Sequence, residues 1–217
     1  MKLLQSLQHL LRPPLPVDDT RWVVLDVESS GLNPKSDRLL AIAAIAVAND
    51  GPHARIMLGD SFEVVLQQPV AVADKANILL HGIGVGAQNN GMAQEAALLA
   101  FERFIANSPL IAFHAAFDQT LILRAFDAVL GRQPNNPWLD LEPLAAVLMP
   151  KVRARSLDEW MATLQIRCAV RHQAAADTLA TAELLQKLWP AAVREMGGHV
   201  RFAVASKLAA QRNWMPG

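Results

Sequence analysis

Residues 22–28, Trp-Val-Val-Leu-Asp-Val-Glu, form an apolar, branched run that closes on two acids and stops at Ser29-Ser30-Gly31. Such a run predicts a strand, and the Ser-Ser-Gly turn ends it. Alternation along a strand puts Asp26 and Glu28 on one face, about 7 Å apart, at its C-terminal end. In an open α/β sheet that end is where ligands bind. Two carboxylates on an otherwise apolar strand repel and desolvate each other, and a cation relieves both costs. Taken alone, the pair reads equally well as ordinary charge on a solvated edge strand.

The rest of the chain supplies partners for that strand. Residues 39–47 and 61–66 read as two further strands, with 56–58 a weaker one, so the sheet is expected to start antiparallel. Ala97, Leu98, Phe101, Phe104 and Ile105 share one helical stripe, and Leu121, Ile122, Ala125, Phe126, Val129 and Leu130 share another, closed by Gly131. Between them Pro109 precedes a short buried strand over 110–113. Ser156-Leu157-Asp158-Glu159 has capping-box spacing. A final strong helix is expected from about 174 to 189, stopping at Pro190. This order predicts an α/β protein with a mixed central sheet, antiparallel first strands and helices on both faces.

The ends read differently from the middle. Leu3, Leu4, Leu7, Leu10 and Leu11 recur at helical spacing before Pro13, Pro14 and Pro16. After Gly197-Gly198 the tail carries Val200, Phe202, Val204, Leu208 and Trp214, which predicts a docking helix on this chain or another. The chain is thus divided into an N-terminal amphipathic helix and Pro-rich connector over 1–18, a central domain over 19–190, and an extension over 191–217. Either end offers a surface for a protein partner or for self-association.

Composition narrows the function classes. Hydrophobic residues make up 52% of the 217, enough for a sizeable core, and the formal net charge is zero. A protein that grips long nucleic acid by its backbone carries a basic excess, so a short local contact or a tethering partner is expected instead. The single cysteine, Cys168, excludes an intramolecular disulfide and fits a cytoplasmic setting. It is read as a small core residue rather than a catalytic thiol. The apolar run over 39–48 is too short to span a membrane, which needs about 20 residues. The first 11 residues, interrupted by Gln and His, lack a signal peptide's apolar segment.

Three more residues carry candidate chemistry. Asp118 follows the 110–113 strand at the first turn of the next helix, where an acid is commonly a helix-dipole partner. At the same end of the sheet it becomes a third oxygen ligand. His172 and Asp177 are five apart, roughly 140° around one helix. They can face one site if His172 lies in the loop before the helix and Asp177 in its early turns.

In the order Asp-x-Glu, Asp, His-x-x-x-x-Asp, these residues resemble the DEDDh branch of the DnaQ-like 3′–5′ exonucleases, with greatest likeness to the proofreading subunits of bacterial DNA polymerase III. The matching stretch runs over about 22–189. His81-Gly82-Ile83 and Asp140-Leu141-Glu142-Pro143-Leu144 look like further family elements. The resemblance implies a ribonuclease H-like fold. It also implies that Asp26, Glu28, Asp118 and Asp177 bind two Mg²⁺ or Mn²⁺ ions, and that His172 deprotonates the attacking water. Ser29, Ser30, Gly31, Leu32 and His81 would line the terminal nucleotide, with Leu32 against a base. The implied activity is removal of nucleoside 5′-monophosphates from single-stranded 3′ ends or frayed primers, DNA in preference to RNA. RNA trimming, digestion of short oligonucleotides, and a non-catalytic binding module on the same fold are the rivals. The chain departs from the family at Ser29-Ser30, usually Thr-Thr, at Ala115, often Asn, and at Ala41, often Glu.

Weaker features take ordinary readings. Gly82-Ile83-Gly84-Val85-Gly86 has the wrong spacing for a dinucleotide loop and is expected to be a flexible loop. Lys151, Arg153 and Arg155 read as a solvated loop, and Trp22, Trp138, Trp160 and Trp189 as packing residues.

Overall fold

A computed structural model describes residues 16–214; the N-terminal amphipathic helix expected near residues 3–11 lies outside them. Among the described residues the sheet has five strands: β1 (Arg21–Ser29), β2 (Leu39–Asn49), β3 (Ala54–Val65), β4 (Leu110–Ala112) and β5 (Trp138–Asp140), in the order β3-β2-β1-β4-β5. The β1–β2 and β2–β3 pairs are antiparallel, and β1–β4 and β4–β5 are parallel. The longer helices are α3 (Gln94–Ile105), α4 (Ala116–Leu130), α5 (Leu141–Leu148), α6 (Leu157–Leu164), α7 (Ala174–Glu195) and α8 (Phe202–Ala210), with shorter α1 (Lys75–His81) and α2 (Val85–Asn89) before them.

β1 is central, so both of its faces are covered, and Trp22 to Leu25 are all buried. Alternation splits that strand between two cores. Val23, Leu25 and Val27 pack with α3 and α4 through Phe101, Leu121, Ile122 and Phe126. Trp22 and Val24 pack on the other face with α5 to α8 through Trp160, Leu185, Trp189 and Phe202. Asp26 and Glu28 therefore continue the Trp22–Val24 face, toward α7. Beside them on β2, Asp26 pairs with Ala43 and Glu28 with Ala41. These small side chains let α7 close on the sheet, where the Thr178 hydroxyl donates to the Ala43 carbonyl at 3.2 Å.

Four expectations are corrected. The weak strand at 56–58 and the strand at 61–66 are one strand, β3, carried through a register shift opposite Ile45/Ala46. The residues skipped there include Asp60, whose carboxylate accepts from Arg21 Nε at 2.8 Å and Nη2 at 2.9 Å, so the irregularity is an anchor. The 110–113 strand is shorter and ends at Ala112. The Gly82–Gly86 segment is not a plain loop: Gly82, at φ 75°, ends α1, and α2 begins at Val85. Finally, α7 runs through Pro190 to Glu195. Its apolar face continues through Leu188, Trp189 and Ala192, all buried, and that packing outweighs the roughly 3 kcal/mol that an interior proline costs.

The apolar tail folds back as α8 on this chain. Phe202 meets Trp22 edge-on at 5.6 Å between ring centroids, and the Phe202 amide donates to both Asp19 carboxylate oxygens, at 2.9 and 3.2 Å. Trp22 and Trp160 are fully buried and Trp189 nearly so, as packing residues. Lys151, Arg153 and Arg155 are exposed, as a solvated loop requires. Among the described residues no helix is long and apolar enough to cross a membrane.

Candidate active site

Four acids approach the C-terminal end of β1 from three directions. Asp26 and Glu28 come from the strand itself. Asp118 comes from the first turn of α4, on the opposite face, and its Oδ1 accepts the Val27 amide at 3.1 Å. Asp177 comes from the first turn of α7, and its Oδ2 accepts the His172 amide at 3.0 Å. Glu28 points to the same helix start, and the Ala174 amide there favours its charged form. His172 thus lies in the loop before α7 and Asp177 in its opening turn, the arrangement their spacing requires.

The turns that aim these helices are strained in parallel. His114 (φ 60°) and His172 (φ 62°) are both in the left-handed region, each shortly before the helix that carries an acid. Such residues cost on the order of 1–3 kcal/mol and persist where surroundings over-determine them. At His114 the determinant is Asp140, whose Oδ1 accepts the His114 amide at 3.0 Å and the Glu142 amide at 3.1 Å. One carboxylate so pins the β4–α4 turn and caps α5.

Electrostatically the acids crowd one another. Burial pushes Asp26 well above the usual carboxylate range, and Asp118, Glu28 and Asp177 push it further. Burial, then Asp177, raises Glu28 to about 7, against the pull of the Ala174 amide and Arg171. Burial raises Asp118 to about 8, with Asp140 and Glu28 adding to it and backbone amides, Val27 among them, opposing. Asp118 and Asp177 are only 4% and 6% exposed.

Arg171 answers part of this charge. Its guanidinium pairs with Asp177 Oδ1 through Nη1 and with Asp158 Oδ1 through Nε at 2.6 Å. Burial works against the Arg171 charge, and the bonds to Asp158 and Asp177 overcome it and push its pKa up. Cys168 Sγ also faces Asp177 Oδ1, at 3.6 Å. Burial, then Asp177, raises that thiol, so it stays protonated and part of the packing. Sequence reasoning missed Arg171. The available signal, a basic residue directly before the histidine, does not say which way a loop side chain turns.

The expected nucleotide-lining residues surround this end of β1. Ser29 Oγ donates to the Gly31 carbonyl at 2.6 Å, and Ser30 Oγ accepts the Arg38 amide at 2.9 Å. A Cβ on Gly31 would come within 2.5 Å of Asp37 Oδ2, so a side chain there must displace that carboxylate. Leu32 is 89% exposed. His81 is buried; its Nδ1 accepts the Ile83 amide at 3.0 Å, which leaves the proton on Nε2, and that N–H has no partner among the described residues. Burial also lowers the His81 pKa and keeps the ring neutral.

The donor set suits a hard divalent cation in kind, since it is all carboxylate oxygen, and in charge, since buried acids repel one another. As the side chains stand, no group of three or more His, Cys, Asp and Glu among the described residues is arranged to hold a metal ion. Asp177 is turned to Arg171 instead.

The fold and this end of the sheet define a ribonuclease H-like α/β protein. Its solved relatives in fold include E. coli exonuclease I in complex with a dT13 oligonucleotide, at a TM-score of 0.68 and 17% identity over 82% of this chain and 43% of that one. Residues 23–185 match the RNase T exonuclease family, and the chain belongs to that family. Among its relatives are a DNA polymerase III subunit epsilon-like protein of Rhodobacter capsulatus, 32% identical over 81% of this chain, and a PolC-type DNA polymerase III of Clostridium perfringens, 30% identical over 83%. The chain spans 25% of the first and 12% of the second.

Proposed function

We propose that this exonuclease removes nucleoside 5′-monophosphates from the 3′ ends of single-stranded or frayed DNA, with two Mg²⁺ or Mn²⁺ ions held by Asp26, Glu28, Asp118 and Asp177. The observation that carries the reading is the crowding of buried acids at the C-terminal end of β1, a cost that bound positive charge removes. Ions in such a site supply Lewis-acid stabilisation of the attacking and leaving oxygens of an in-line displacement.

The chain's own groups do the rest. His172, exposed at the entrance to α7, takes the proton from the attacking water. His81, buried with its Nε2 covered, would back the pocket of the terminal nucleotide rather than donate to it, and exposed Leu32 offers an apolar face to the base. The Ser29–Gly31 turn, held by the Arg38 amide on Ser30 Oγ, holds the sugar end. Ala115, without a polar side chain, adds no grip. Single-stranded DNA is preferred because exonuclease I, which shares the fold, binds dT13, and because the chain has no basic excess for duplex.

The test is digestion of 5′-labelled DNA and RNA oligonucleotides, side by side, in Mn²⁺ or in EDTA. A ladder shortened from the 3′ end of DNA should form only with metal. Full activity in Asp26→Ala would sink the metal assignment, and faster RNA digestion would move the substrate to RNA.

A further inference from the structure

The geometry points to Arg171 as a resident cation of the site: its guanidinium holds Asp177 until a divalent ion replaces it there, and Asp158 then retains it. The inference rests on the metal reading above and adds a residue that sets how readily the site loads.

Both oxygens of Asp177 are engaged. Oδ2 accepts the His172 amide at 3.0 Å, a backbone bond fixed by the entry to α7. Oδ1 faces the Arg171 guanidinium and Cys168 Sγ. An incoming cation needs an oxygen lone pair; the Cys168 thiol can turn to the Val170 carbonyl, 3.5 Å away, and the guanidinium, the one charged partner, also has somewhere else to go. Its Nε already donates to Asp158 Oδ1 at 2.6 Å, at the start of α6. The two acceptors differ in setting: the Asp177 side chain is 8% exposed and that of Asp158 61%. Asp158 can keep a displaced guanidinium in water at little cost, whereas an ionised Asp177, being buried, is left uncompensated unless another positive charge takes the guanidinium's place.

Charge gives the sign of the coupling. The guanidinium attracts Asp26 and Glu28 as well as Asp177, so it offsets part of their repulsion while no ion is present. A divalent cation at the same acids brings larger charge and repels it. Arg171 therefore raises the ion concentration needed to fill the site. Asp158 lowers it, by drawing the guanidinium away from Asp177. These opposed signs separate the idea from a purely structural role, in which loss of either residue would weaken binding.

Mn²⁺ binding to the full chain, measured by titration calorimetry at one pH and ionic strength, tests this. Arg171→Gln should bind Mn²⁺ about tenfold more tightly than the unsubstituted protein, the lower end of the range over which groups beside metal ligands alter affinity. Asp158→Asn should bind more weakly, and the double variant should match Arg171→Gln alone, because Asp158 acts only through Arg171. Should Arg171→Gln fail to fold by circular dichroism, Arg171→Lys serves: its compact ammonium lacks the fork that grips two carboxylates, and it should also tighten binding. Unchanged or weaker Mn²⁺ binding in the folded Arg171 variant, or an Asp158→Asn effect that survives without Arg171, would overturn the inference. Mn²⁺ binding that disappears in Asp26→Asn leaves the metal reading standing whichever way Arg171 behaves. No Mn²⁺ binding by the unsubstituted protein would overturn both.

Discussion

Asp118 is a carboxyl group that the fold makes reluctant to ionise. Burial, helped by Asp140 and Glu28, raises it to about 8. A carboxyl that binds its proton more tightly in the folded chain than in the unfolded one stabilises the protein least where it is forced to ionise. Its contribution is therefore lost as pH rises from the ordinary carboxylate value, about 4, through about 8. His81, lowered by burial, has the opposite slope at lower pH, because it must be charged in the unfolded chain first. Comparing one substitution across pH removes that opposing contribution. Without metal, Asp118→Asn should match the unsubstituted protein near pH 5. By about pH 8, after three pH units at about 1.4 kcal/mol each inside that window, it should melt several degrees higher. Mn²⁺ should cancel the advantage by stabilising only the protein that keeps the carboxylate. Thermal melts in EDTA and in Mn²⁺ measure both effects; an Asn variant that melts lower at pH 8 without metal would contradict the electrostatic account.

At the scale of elements, α7 and β2 fix how closely the acids meet. Ala43 is 1% exposed, pairs with Asp26, and gives its carbonyl to Thr178 of α7. A larger side chain there must push the helix, and with it Asp177, off the sheet. Ala43→Leu should cost about 1–3 kcal/mol in urea unfolding, the usual result of overpacking a filled core, and should weaken Mn²⁺ binding as well. A loss of stability with Mn²⁺ affinity intact would show that the helix position does not set the site. These elements also show what a sequence can carry. The strand ending in Asp26 and Glu28, the stripes of α3 and α4, and the Ser156 capping box follow from local patterns, and all form as expected. What failed depended on distant partners. Pro190 looked like a stop because a proline's local cost is visible and the burial of Leu188 and Ala192 is not. β3 looked broken because its skipped residues are held by Arg21, far away in sequence. The place of each acid on its own element was legible from local pattern, whereas the Arg171 contact depends on the path of a loop.

Across the whole molecule the C-terminal segment belongs to the core on which the site stands. Val200, Phe202 and Leu208 are buried, and Phe202 covers Trp22, which is fully buried at the start of the strand that ends in Asp26 and Glu28. Asp19 ties the two regions, accepting from the Trp22 indole at 2.9 Å and from the Phe202 amide. A chain stopped after Gly198 loses those three side chains, each worth about 1.5–3 kcal/mol when buried, and exposes Trp22 and Trp189 to water. Against a total stability of about 5–15 kcal/mol, that loss leaves the remainder marginal or unfolded. The truncated chain should unfold at much lower urea than the full chain, with Trp fluorescence shifted toward that of exposed indole even without denaturant. Mn²⁺ binding should fall along with the fold, because β1 carries both the Trp22 packing and the first two acids. A truncated chain with an unchanged urea midpoint would make residues after 198 a detachable extension, free to serve a partner rather than the strand beneath them.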